Sequence, residues 1–325
     1  RRVLGEALGH RNLSLASRNA LNELAANAYD KFNADRVVRT LSPDLILCGH
    51  WPAFKFRQPT PAETIIDLAG PHLLERFHQG ESISEEVLQK KRNVLKTADR
   101  FIASGELQRS YFKSFFAEGK APRIDLLTMA LPPQAARNSF KSGEPRFIFT
   151  GYFLPWQNPE VALRTIAKEL QAHQNGELRL IGGHHPSFPI NSPDQQRVFH
   201  QLKAQPKVSY SPPLPIEELQ RELLAADVAL DLMERNLERE LAVPIRTTLY
   251  LHAGLPVIFN NYSDLSLLIA KYNAGWCIEN SETEIQNLVR TLINDPSEIA
   301  LRSEGAYRLA QREFSWDNAV KPLLS

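Results

Sequence analysis

Residues 227–259 read DVALDLMERNLERELAVPIRTTLYLHAGLPVIF, and this stretch decides the architecture. DVALDL is apolar and alternating, as a buried strand requires. MERNLERELAVP is a polar, acidic loop ending in Pro244, which suits a first helical turn because its missing N–H is not needed there. IRTTLYLHAG is a short helix stopped by Gly254, and LPVIF is the next buried strand. The arrangement sets the first amides of a helix, with Arg246, Thr247 and Thr248 beside them, at the carboxyl end of a strand. Free N–H groups and the helix dipole both favour a phosphate at such a place. An ordinary βαβ crossover of any doubly wound domain has the same outline.

The 325 residues have room for two domains of roughly 100–200 residues each. An apolar content of 43% and a charged content of 23% are those of a soluble globular protein. No run approaches the ~20 apolar residues of a membrane span. Cys48 and Cys277 lie far apart in apolar contexts, so neither a disulfide framework nor a zinc site is expected, and a reducing compartment is. The net charge is +1, with the first 140 residues mildly basic and the remainder mildly acidic. That balance suits an anionic acceptor or a membrane surface and is too weak to argue for nucleic acid. The chain opens RRVLGEAL, without a signal-peptide pattern.

Upstream of the deciding stretch, RFIFTGYFLPWQNPEVALRTIAKEL (146–170) reads as strand, glycine loop and amphipathic helix, the first unit of a Rossmann-like domain. It carries no G-x-G-x-x-G, which disfavours a dinucleotide oxidoreductase. The strand in ELRLIGGHHPSFP (177–189) ends in Gly182, Gly183, His184 and His185. A glycine pair there permits close approach of a ligand, whereas adjacent histidines on a strand point to opposite sides and form no metal pair. RNSFKSGEP (137–145) reads as a linker.

In the front half, residues 1–43 have helical periodicity, with Pro43 after the expected end. DLILCGHW (44–51) is the first convincing strand, with His50 and Trp51 at its turn. ETIIDLAGPHLLERFH (63–78) reads as a strand to Asp67, a Gly70–Pro71 break and a helix carrying His72, Glu75 and His78. Their spacing of three and three drifts around a helix and makes a poor metal site. Asp67 lies at a strand's carboxyl end, where open α/β sheets bind ligands. It could equally cap the helix, and Glu75 could complement the helix dipole. The mix of Arg109, Tyr111, Phe112, Lys113, Phe115, Phe116 and Lys120 fits either a membrane surface or a core-facing stripe with a solvated edge.

These residues together carry a resemblance. The acidic loop, the helix and the turn Gly254–Leu255–Pro256–Val257–Ile258 resemble the donor segment of GT-B-fold glycosyltransferases related to family 4. Asp67, Leu68, Pro71, Leu74 and Glu75 are similar to a run of that family's amino-terminal domain. Ser104 and Gln108 match a second run, Gly151, Trp156, Asn158 and Pro159 a third, and Trp316 lies in a closing F-S-W-D. Glu238 and Arg246 match donor-loop positions. Two departures stand out: Leu249 replaces the usual acid five residues before Gly254, and Tyr152 and Gln157 stand near the places of an Arg and a Lys that hold the diphosphate.

The resemblance implies two Rossmann-like domains in a GT-B arrangement, with an incomplete amino-terminal domain lacking its opening strand and glycine loop. Residues 1–140 would form the acceptor side, 141–310 the nucleotide-sugar domain, and 311–325 a helix crossing back, with Trp316 as its anchor. It implies transfer of a sugar from a nucleotide-diphosphate sugar, UDP-sugar favoured, to a saccharide or lipid-linked saccharide, with retention, in cell-surface polysaccharide or glycan assembly. Glu238, Arg246 and Asp67 are the expected catalytic residues. Gly151, Tyr152, Trp156, Gly182, Gly183, His184, Thr247 and Thr248 are expected at the donor, and His50 and Glu75 at the acceptor. No metal or further cofactor is expected, and no nucleic acid partner. The expected location is cytoplasmic, with peripheral contact at the inner face of a membrane. A non-catalytic subunit of a polysaccharide assembly system and a nucleotide-sugar epimerase are the alternatives.

Overall fold

The structure, a computed structural model, describes residues 34–49, 61–68, 70–96, 98–114, 123–133, 137, 143–154, 156–183 and 193–324. The chain divides into two compact units, one drawn from 1–69, 84–102 and 115–125, the other from 70–83, 103–114 and 126–325. After a helical run over 34–41, the elements are β1 (Leu45–Cys48), β2 (Glu63–Asp67), α1 (His72–His78), α2 (Glu85–Leu95), β3 (Arg100–Ala103), α3 (Glu106–Lys113) and β4 (Arg123–Leu126). The four strands form one sheet in the order β1-β2-β3-β4. β2 pairs in parallel with both β1 and β3. Ile65, Ile66, Phe101 and Ile102 are all buried, so the central strands read as near-continuous apolar runs, as parallel sheets covered on both faces do. Ser84 caps α2, its Oγ accepting from the Val87 amide at 3.3 Å.

The remaining elements are β5 (Arg146–Tyr152), α4 (Glu160–His173), β6 (Glu177–Gly183), α5 (Pro193–Lys203), β7 (Val208–Ser211), α6 (Ile216–Ala225), β8 (Val228–Asp231) and α7 (Leu237–Leu241). They continue with α8 (Ile245–His252), β9 (Val257–Asn260), α9 (Asp264–Tyr272), β10 (Gly275–Ile278), α10 (Glu282–Asn294), α11 (Ser297–Glu313) and α12 (Trp316–Leu324). The six strands form a parallel sheet in the order β10-β9-β8-β5-β6-β7. β5 starts the sheet, β6 and β7 extend it one way, and β8 to β10 extend it the other. The strand order therefore reverses between β5 and β8, which defines a topological switch point.

Alternation along the strands builds two cores. Phe147, Phe149, Leu230 and Ile258 pack with α4, α5 and α10. Ile148, Ala229, Val257 and Phe259 pack with α6, α8, α9 and α11. Successive side chains of a strand point to opposite faces, so one run of sequence serves both layers.

Three local details depart from the sequence reading. The polar loop after β8 contains a short helix, α7, because the Asn236 side chain accepts from the Arg239 amide at 3.0 Å and caps it. Pro244 is the N-cap of α8 and not its first helical residue. Trp316, expected as a structural anchor, is 54% exposed. The buried aromatic of that turn is Phe314, whose carbonyl accepts from the Leu131 amide at 2.8 Å.

In the first sheet a single guanidinium ties three strands together. Arg100 donates to Asp125 at 2.7 Å and to Glu63 at 3.2 Å. Burial pushes the Asp125 carboxyl up, but the hydrogen bonds from Arg100 and Arg123 outweigh it and hold the group below the usual carboxylate range. A carboxyl lowered in the folded state adds stability that is complete above its unfolded value of about 3.9 and is lost as pH falls through the folded value. The first unit should therefore lose stability at acid pH. Asp125→Asn should lower stability at neutral pH and flatten that acid decline, as circular-dichroism melts across pH will report.

Candidate functional site

The switch point is built from the carboxyl ends of β5 and β8 with the first turn of α8. Arg246 stands at its centre. Its Nη1 donates to the Thr150 carbonyl at 3.2 Å, its Nη2 donates to the Gln157 side-chain oxygen, and its Nε lies 3.7 Å from Asp231. The guanidinium covers Gly151, whose φ is +137°, and a Cβ built there would lie 2.5 Å from Arg246 Nη1. Gly151 thus leaves the room that the guanidinium occupies. The Arg246 side chain is 13% exposed.

Tyr250, one turn beyond Arg246, serves the same strand end. Its oxygen accepts from the Thr150 amide at 2.8 Å, and its hydroxyl is 3.3 Å from the Thr150 carbonyl. Burial pushes its pKa up to about 12, so the phenol stays protonated and available as a donor. Thr247 faces β8 instead and donates its hydroxyl to Asp231. Asp231 is buried, and among the described residues its Oδ1 has no hydrogen-bond partner. Asn260, at the end of β9, fixes the loop after β8 by accepting from the Met233 amide at 3.0 Å and donating to the Asp231 carbonyl at 3.2 Å.

The remaining expected residues divide by their surroundings. Thr248 is buried, its hydroxyl 2.7 Å from the Ile245 carbonyl and 3.0 Å from Met129 Sδ. The amides of Thr247 and Thr248 both donate to the Pro244 carbonyl, so two of the three amides expected to be free at 246–248 are spent within the turn. Trp156 is 5% exposed, and its carbonyl accepts from Asn236 at 3.0 Å. Tyr152 is half-buried at the end of β5. Gly182 pairs with Gly151 and Gly183 with Tyr152. A Cβ on Gly182 would strike the Gly151 carbonyl, and one on Gly183 would meet Phe199 at 2.9 Å. The strand-end glycines are thus required by packing between β5 and β6 and against α5.

The catalytic role expected of Glu238 meets a buried side chain. Glu238 is 1% exposed, and both carboxylate oxygens accept from Arg239, itself buried, the Nη2 bond measuring 2.7 Å. Leu249 packs among the apolar residues beneath α8. Asp67 ends β2 in the first unit and is half-buried, and Glu75 lies half-buried in the first turn of α1. His50 and His184 lie outside the described residues.

Sequence reading reached Arg246, Thr247 and Gly151 and missed Tyr250, Asp231 and Asn260. The spacing of four between Arg246 and Tyr250, which places both on one helix face, was the available signal for the tyrosine. The acid closing the apolar run DVALD was the signal for Asp231.

A parallel sheet whose strand order reverses beside a cation has the plan on which open α/β domains place their ligand sites. The chain matches the model of the family described as glycosyl transferases group 1 over residues 133–308, more than half its length, and belongs to that family. Its two-sheet α/β plan is that of GT-B glycosyltransferases. Sucrose-phosphate synthase from Thermosynechococcus elongatus is similar in fold at 15% identity, with a TM-score of 0.68 over 87% of this chain and 72% of that one. S. aureus TarM gives a TM-score of 0.66 at 11% identity, over 89% of this chain and 57% of TarM. Anabaena HepE, solved with UDP and glucose, gives 0.65 at 14% identity over 89% and 79%. At such identities the likeness is one of fold. No curated protein matches the sequence.

Two outcomes test the site's framework. Tyr250→Phe leaves the buried Thr150 amide without its acceptor and should cost about 1–3 kcal/mol in urea denaturation. Glu238→Ala strands a buried guanidinium and should cost about 3–5 kcal/mol, with a loss of activity no greater than the loss of folded protein.

Proposed function

We propose that the chain transfers a sugar from a UDP-sugar to a saccharide or lipid-linked saccharide acceptor. The observation that carries this reading is the Arg246 guanidinium lying against Gly151 at the switch point. Family membership and the UDP present in the TarM and HepE complexes support it. In the proposed reaction Arg246 exchanges the neutral Gln157 oxygen for diphosphate oxygens. Charge-assisted hydrogen bonds are roughly twice as strong as neutral ones. A guanidinium already held by Thr150 and Asp231 stabilises the departing diphosphate without reorganising. Gly151 and Tyr152 line the donor, Asp67 and Glu75 belong to the acceptor side, and the anomeric configuration is retained. The work is proposed to occur in the cytoplasm, with a peripheral contact at the inner membrane face where a lipid-linked acceptor would lie. Among the described residues no helix is long and apolar enough to cross a membrane.

A non-catalytic subunit of a polysaccharide assembly system is favoured by one observation, the apolar packing of Leu249 where the family's acid would stand. Thermal-shift measurement with UDP, GDP, TDP and ADP separates the readings. A ligand at a hundredfold excess over its Kd stabilises by roughly 2.7 kcal/mol. The expected result is a shift with UDP that Arg246→Ala removes, together with turnover of UDP-sugar that the same variant abolishes. No shift with any diphosphate would sink the donor reading. A shift without turnover would leave the non-catalytic subunit.

A further inference from the structure

A second opening lies along the same carboxyl edge of the six-stranded sheet, and neither Arg246 nor Gly151 lines it. It has a volume of about 500 Å³, within the range of roughly 300–1,000 Å³ typical of small-molecule sites. Its walls come from the start of α4, the loop after β8, the residues following β9 and the segment leading into α10. Open α/β sheets bind ligands at this edge.

The chemistry of the walls selects the ligand. Val161 supplies apolar surface, Met233 lies at the wall with only 1% of its own surface exposed, and Tyr262 adds a ring whose hydroxyl is turned to the Met233 carbonyl at 3.3 Å. Asn158, Asn261 and Asn280 supply planar amides that both donate and accept. Asn158 spends one amide hydrogen on Glu234 at 3.0 Å. The Asn280 side-chain oxygen is buried, with no hydrogen-bond partner among the described residues. Glu234 and Glu279 add acceptors. Among the described residues the one cation of the lining, Arg235, is paired with Glu240 at 2.7 Å and lies over the Tyr262 ring at 5.4 Å. Two carboxylates against one committed arginine repel phosphates and carboxylates. They accept readily from hydroxyls, while the apolar wall suits the C–H face of a ring.

We propose that this opening binds a neutral polyhydroxylated ring, one sugar residue of a saccharide, at a site separate from Arg246. The inference does not rest on the donor reading. A sugar can bind here whether or not UDP binds at the switch point.

The chain has two methionines, and they report on the two places. Met233 lines the opening, and Met129 touches Thr248 of α8. With 13C-methyl methionine, assigned by Met129→Leu, the protein is titrated with methyl glucoside, methyl galactoside and N-acetylglucosamine to roughly 10 mM, which saturates a site of Kd about 1 mM. The expected result is a saturable shift of the Met233 signal by at least one sugar, with the Met129 signal unmoved. Asn280→Ala should weaken that binding about five- to tenfold, as loss of one hydrogen bond does. Val161→Trp should abolish it by filling the opening, with the Met129 signal showing that the fold is intact. A Met233 signal that no sugar moves overturns the proposal, as does binding that both variants leave unchanged. Displacement of the sugar by UDP would assign the opening to the donor site. A Met233 shift caused by calcium alone would assign it to a cation.

Discussion

Arg246 and Tyr250, one turn apart on α8, both reach the main chain of Thr150 at the end of β5. The second unit is arranged around that junction. Because the strand order reverses between β5 and β8, a helix leaving β8 passes beside the end of β5, where the sheet offers unpaired peptide groups. Tyr250 satisfies them from below and keeps its proton, since burial raises its pKa to about 12. Arg246 then lies across the strand end with its charge toward the edge of the sheet. The register of β5 against β6, with Gly151 opposite Gly182, makes the backbone there low enough for a guanidinium to rest on it.

Electrostatic partners are divided by depth. Asp231, at the end of β8, faces Arg246 from within and receives the Thr247 hydroxyl, so the guanidinium has a buried counter-charge on one side. Glu238 and Arg239 form a separate pair inside α7. A buried pair of this kind contributes little net stability but is costly to break. Both residues lie on α7, and the acids after β8 differ in kind. Glu234 lines the opening beside α4, as does Glu279 after β10, whereas Glu238 is internal.

The sequence and the structure agree most closely where local rules are strong. The strand–loop–helix–glycine–strand reading of 227–259 matches β8, α8 and β9 within a residue or two, because apolar alternation, Pro244 and Gly254 are local signals. The short α7 was not legible as a helix, since its five residues have no room for a periodic face and only Asn236 marks it. Trp316 illustrates the reverse error. The resemblance marks it as an anchor, yet it is 54% exposed and the nearby Phe314 occupies the core.

By itself the sequence determined the α/β class, the strand and helix order of the second unit and the presence of Arg246 at a helix start, because each depends on residues near one another in the chain. The tertiary structure alone decided which acid faces Arg246, which glycines are demanded by packing and which carboxylate is buried. Asp231 lies 15 residues from Arg246 in the chain, and Thr150 lies 96 from it. Their meeting follows from strand order and register, which local propensity does not encode. Glu238 matches the family's pattern in sequence, but burial beside Arg239 removes it from solvent. Exposure is a property of the packed chain and not of its spacing.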